Sequence, residues 1–143
     1  MATAVARKQE ELFRQVFDAD YGSVVRAIID HRLIGDQDLL KVVDGLLRVF
    51  DVSKADVYEL LGVSSSRVSR RPVMDVSTLD RGSAALKLFA RVAAIIGDEA
   101  ASDWFRRPHE HLGGKRPFDL LRTSLGQQEL ASMITALQDG AYL

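Results

Sequence analysis

Apolar residues recur at helical spacing along almost the whole chain. Leu12, Phe13, Val16 and Phe17 fall on one face of a first helix, and Val24, Val25, Ile28 and Ile29 repeat that stripe after a break at Tyr21-Gly22, which predicts two short antiparallel helices. Val24 to Ile29 is β-branched enough for a strand, but Arg26-Ala27 gives no period-two alternation, so the segment reads as helix. Leu39, Val42, Val43, Leu46, Leu47 and Phe50 follow at three-and-four spacing and predict a helix ending near Asp51. Ser53 with Asp56 forms a capping-box pair that opens the next helix, which runs to Leu61 and stops at Gly62. Ser64 caps a short helix that carries Val68 inward and ends before Pro72, whose ring disfavours helical backbone at Arg71. Pro72 to Val76 reads as a linker.

A second half starts at Ser77, paired with Asp80 as a helix start signal. Leu86, Phe89, Ala93 and Ile96, flanked by Ala85, Leu88, Val92 and Ile95, predict a long central helix with a wide apolar face, closed by Gly97. Asp98 is expected to cap the next helix, which carries Trp104 to a stop at Pro108. Gly113-Gly114 permits backbone angles closed to other residues, and Pro117 restarts a helix at its favoured first position. Ser124 with Gln127 predicts the last helix, with Leu130, Met133, Ile134 and Leu137 as its stripe, Gly140 as its end and Ala141-Tyr142-Leu143 as a tail. The expected fold is all-α with about eight helices.

A chain of 143 residues with 47% hydrophobic content can bury a real core. It contains no cysteine, which excludes disulfide staples, thiolate catalysis and cysteine zinc sites and suits a reducing cytoplasm. No apolar run approaches the ~20 residues of a membrane span and the N-terminus has no signal-peptide profile, so a soluble cytoplasmic protein with no membrane partner is expected. A net charge of -1 argues against a globally basic nucleic-acid coat, so any such contact must be local.

Ser53 to Arg70 has the spacing of a helix-turn-helix. Val57 and Leu61 pack its first helix, Gly62 makes the turn, and the outer face of the second helix is left as Ser65, Ser66, Arg67, Ser69 and Arg70, hydroxyls and guanidiniums of the kind that base edges and phosphates require. Lys54 and Arg71 are candidate phosphate contacts. An ordinary helical hairpin with a solvated face is the plainer alternative. Trp104 to Leu121 is too constrained for plain helix or solvated linker and reads as a rigid surface for a partner, with Trp104 either in the core or at the interface. His109-x-His111 with Glu110 and Glu99 nearby could chelate a metal, but no third ligand is placed, and no histidine sits where it would activate a serine. No catalytic, cofactor or metal residue is assigned, and the chain is expected not to be an enzyme. A small helical hydrolase using His109 or His111 is the enzymatic alternative.

The helix-turn-helix followed by Ser69-Arg70-Arg71, the long helix, Trp104-Phe105, the run Pro108 to Leu121 and the closing Gly140-Ala141-Tyr142-Leu143 resemble, from about Leu39 onward, the Xre/MbcA/ParS-like antitoxins of RES–Xre toxin–antitoxin pairs. His109 stands where that family usually has Asn, and Tyr58 where helix-turn-helix motifs usually carry a small residue. The resemblance implies an N-terminal extension (1–37) that could serve dimerisation, an Xre-like DNA-binding part (38–75) and a C-terminal toxin-binding domain (76–143). It implies a homodimer that binds operator DNA and caps the active site of a RES toxin, an enzyme that consumes NAD or transfers ADP-ribose from it. Trp104, Pro108, His109, Leu112, Gly113, Gly114, Lys115, Arg116, Pro117, Tyr142 and Leu143 would meet the toxin. A free-standing transcription regulator without a toxin is the alternative.

Overall fold

The computed structural model describes residues 3–33, 38–70 and 74–140. These form eight α-helices: α1 (Ala4–Phe17), α2 (Tyr21–Ile29), α3 (Leu39–Phe50), α4 (Lys54–Leu61), α5 (Ser65–Arg70), α6 (Val76–Ile96), α7 (Asp98–Arg106) and α8 (Ser124–Gln138). Two 3₁₀ helices, Glu110–Leu112 and Pro117–Arg122, join α7 to α8. The fold is all-α, as the apolar spacing predicts, with no β-strand among the described residues.

The long helix α6 is the axis of the molecule, in contact with α1, α2, α4, α7 and α8. Small residues let its neighbours approach: a Cβ at Gly82 would lie 3.2 Å from the Phe17 ring. Phe50 of α3 is fully buried, with the rings of Phe89, Phe105 and Phe118 at 5.1, 5.2 and 5.3 Å, all edge-on. This is the arrangement that the ring quadrupole favours. The four rings come from α3, α6, α7 and the second 3₁₀ helix, so one core runs through both the helix-turn-helix region and the C-terminal region.

Caps explain where most helices begin. Ser53 Oγ accepts the Asp56 N–H at 3.1 Å while the Asp56 carboxylate accepts the Ser53 N–H at 3.3 Å, the reciprocal box that the sequence predicts. Three starts differ from expectation. Asp75, not Ser77, caps α6, because Met74 is buried and brings Asp75 under the Thr78 N–H at 2.7 Å. Asp98 is the first residue of α7 rather than its cap, and its carboxylate holds Lys8 of α1 at 3.0 Å. Thr123, not Ser124, caps α8, its hydroxyl accepting from Gly126 at 3.0 Å.

The first hairpin also differs. The break falls at Asp18, which adopts a left-handed backbone, and α2 starts at Tyr21 under an Asp20 cap. α2 buries Val24 and Ala27 rather than the whole predicted stripe, and Ile29 is 68% exposed. With apolar residues at 24, 25, 27, 28 and 29, two faces are open to this helix. Tyr21, edge-on to Phe13 at 5.1 Å, selects the face that contains Val24.

Candidate functional site

Pro108 ends the helical run that the Trp104 side of α7 begins, and the chain from Arg107 to Arg116 closes into a bonded loop. The His109 N–H donates to the Lys115 carbonyl at 3.1 Å, and the His109 carbonyl accepts from Leu112 at 3.1 Å and Gly114 at 3.0 Å. Gly113 donates to Glu110 at 3.0 Å and Lys115 to Leu112 at 3.2 Å. Gly113 and Gly114 take φ of 64° and 82°, the left-handed region that the sequence predicts from the pair. These five backbone bonds brace the loop from within.

Beneath the loop lies Trp104, 1% exposed, edge-on to Phe105 at 5.1 Å and tilted against the His109 ring at 5.6 Å. Of the two roles open to Trp104, the structure gives it the core. Partial burial, then the charge of Arg107, holds the His109 imidazole below its ordinary range, against a hydrogen bond to the Trp104 backbone that works the other way.

Of the residues expected to meet a partner, Pro108, Gly113, Gly114 and Lys115 are exposed, His109, Leu112 and Arg116 are half-buried, and Trp104 and Pro117 are buried supports. Tyr142 and Leu143 lie outside the described residues. Arg107, exposed at the start of the loop, adds a positive charge that sequence reasoning did not single out.

Arg116 does not point freely outward. Its guanidinium donates to Asp119 at 2.7 Å and, across the fold, to both carboxylate oxygens of Asp56 at 3.0 and 3.2 Å, with the Phe118 ring 5.4 Å below. The hydrogen bonds it donates to Asp119 and then to Asp56 hold Arg116 firmly protonated. Those from Arg116 depress the Asp56 carboxyl, and at Asp119 they outweigh the opposing effect of partial burial. Asp119 stands only three residues along the chain, at the third position of the second 3₁₀ helix. Asp56, 60 residues away, carries no sequence signal for this pairing.

α4 and α5 lie where the sequence predicts a helix-turn-helix, with Gly62 left-handed at the turn and Arg81 of α6 lying against it. Ser64 Oγ accepts the Arg67 N–H at 3.1 Å and opens α5; Val63 and Val68 are buried. Ser65, Ser66, Ser69 and Arg70 are exposed on α5, and Lys54 is exposed at the first position of α4. Arg67 is half-exposed and already bound to Asp75 at 2.9 Å, so it would have to leave that carboxylate to reach a base. Ser64, Ser66, Arg67 and Arg70 line a hollow of about 240 Å³. Tyr58 packs half-buried against the core. Arg71 lies outside the described residues.

Among the described residues no group of three or more His, Asp or Glu side chains could hold a metal ion, so His109 and His111 gain no third ligand. No described helix is long and apolar enough to cross a membrane.

Comparison with known proteins bears on the C-terminal part first. Residues 91–140, from the second half of α6 to the end of α8, match the family described as the antitoxin Xre/MbcA/ParS C-terminal toxin-binding domain. The chain is also 28% identical over 144 residues to a protein of Yersinia enterocolitica (serotype O:8, biotype 1B) named antitoxin Xre, an alignment that covers 96% of this chain and 94% of that one.

Proposed function

From the premise that the C-terminal part of this chain belongs to the Xre/MbcA/ParS antitoxins, we propose that the protein neutralises a RES-domain toxin by capping its active site and represses its own operon as a homodimer. The observation that carries this reading is the braced loop at 107–116: a rigid surface loses little conformational entropy on docking, so its contact area converts efficiently into affinity. Exposed Arg107, Pro108, Gly113, Gly114 and Lys115 are its contact face, with Trp104 and Pro117 holding it from below. Tyr142 and Leu143 enter the toxin's cleft and exclude an NAD-like substrate. In this reading the chain performs no chemistry and acts in the cytoplasm, where the toxin finds its substrate.

α5 carries the operator contacts through Ser65, Ser66, Ser69 and Arg70, with Arg67 and Arg71 beside them and Lys54 on phosphate. Two copies of α5 read paired half-sites, and residues 1–37 contribute to the dimer.

The test is co-purification with the product of the adjacent reading frame, followed by an NAD-consumption assay with and without this chain. Tight association and loss of NAD turnover are expected. Removal of Ala141 to Leu143 should restore turnover while leaving the helical circular dichroism unchanged. A chain that neither binds nor inhibits its neighbour's product overturns the antitoxin reading. A truncated chain that inhibits fully overturns the cleft-filling role alone.

A further inference from the structure

The loop and the helix-turn-helix meet through one guanidinium. Arg116 closes the loop at its C-terminal end and reaches back to Asp56, which is also the third residue of α4 and the carboxylate of its capping box. One turn further along α4, Glu59 is held by Arg122 at 2.8 Å. The acidic face of α4 is therefore neutralised by cations that lie outside the helix-turn-helix. Arg116 keeps 28% of its side-chain surface open, so it remains reachable by a carboxylate on a docking partner.

We propose that Arg116 is a coupling residue: the ion-pair network Asp56–Arg116–Asp119 links the partner-binding loop to the DNA-reading helix pair, so that events at either one are felt at the other. This deepens the reading above and rests on it. The chemistry is direct. When Arg116 is drawn toward the loop side, Asp56 becomes an unpaired carboxylate in the first turn of α4, where it repels DNA phosphate and weakens the box that fixes the helix start. Linkage is reciprocal, so DNA seated on α4–α5 must in turn steady Arg116 and the loop it closes.

The test uses the full chain and a duplex from immediately upstream of its own gene. Affinity is measured for the wild type, R116Q, D56N, the double variant and K115Q. Hydrogen exchange at the His109, Gly113, Gly114 and Lys115 amides is followed with and without that duplex. R116Q should bind the duplex about 5-fold more weakly or worse, D56N should recover part of that loss in the double variant because the unpaired carboxylate is gone, and K115Q should bind as wild type. DNA should slow loop exchange in the wild type and leave it unchanged in R116Q, a response that a purely structural arginine would not produce.

Undiminished binding by R116Q, no recovery in the double variant, or wild-type loop exchange indifferent to DNA would each overturn the coupling alone. An equal loss in K115Q would mean that the loop touches DNA itself, which also overturns it. A wild-type chain that binds its upstream duplex no better than an unrelated one overturns the DNA-reading assignment and the coupling with it. Should R116Q fail to fold, R116K, which keeps the charge but not the two-pronged geometry, is expected to give an intermediate loss with the same exchange signature.

Discussion

Gly126 has no room for a side chain: a Cβ there would lie 2.2 Å from the Leu120 carbonyl oxygen, a backbone atom that cannot swing aside. In an ordinary helix, Gly→Ala gains about 0.5–1 kcal/mol from backbone entropy, but a forced shift between two packed elements costs about 1–3 kcal/mol, so the clash wins. Gly126→Ala is expected to lower the thermal midpoint, and an unchanged midpoint would mean that the 3₁₀ helix and α8 separate freely. At His109 the relevant quantity is a proton. Partial burial and the nearby cationic groups keep its folded-state pKa below the ordinary 6.5, so on acidification the unfolded chain takes up a proton before the folded one does. Stability from this site is complete above about pH 6.5 and is lost as the pH falls toward the folded pKa. His109→Asn should flatten the decline in urea midpoint between pH 7.5 and 5.5; identical slopes in the two proteins would rule the imidazole out as the cause.

At the scale of elements, α7 caps α3. Buried Ser102 donates to the carbonyl of Phe50 at 3.0 Å, and Arg106 on the same helix reaches Asp51 at 3.6 Å and pairs with Asp103. Ser102→Ala strips a buried helix-end carbonyl of this donor and should cost about 1–3 kcal/mol in urea unfolding, whereas Arg106→Gln, which removes exposed pairs, should cost about 1 kcal/mol or less. The contrast shows what the sequence could and could not reveal. Helix bodies were legible because burial imposes a period, and Leu130, Met133, Ile134 and Leu137 are all buried as that period requires. Local starts were legible where one capping residue stood alone, as at Ser53, but ambiguous where two neighbours competed, as at Thr123 and Ser124. The loop was visible from Pro108, Gly113-Gly114 and Pro117. Ser102 on Phe50 and Arg116 on Asp56 were not, because partners 52 and 60 residues apart leave no periodic trace.

Across the whole molecule, the segment matched to the antitoxin family begins at residue 91, inside α6, and so cuts the core rather than bounding it. Phe50 supplies the ring against which Phe105 and Phe118 pack, while Asp56 and Glu59 supply the anions for Arg116 and Arg122. A fragment starting at residue 76 keeps α6, α7 and α8 but loses all of these, exposing three phenylalanine faces and leaving Arg116 with Asp119 alone. Truncating one large buried aromatic costs about 3–5 kcal/mol, and a domain's entire stability is about 5–15 kcal/mol, so losing α3 and α4 together exceeds what the remainder can hold. Residues 76–143 by themselves are therefore expected to melt without a cooperative transition and with weak near-ultraviolet dichroism from Trp104, while the full chain melts sharply. A cooperative melt of the shorter fragment would mean that α6 to α8 form an autonomous unit and that the bridges to α4 are not needed to hold it.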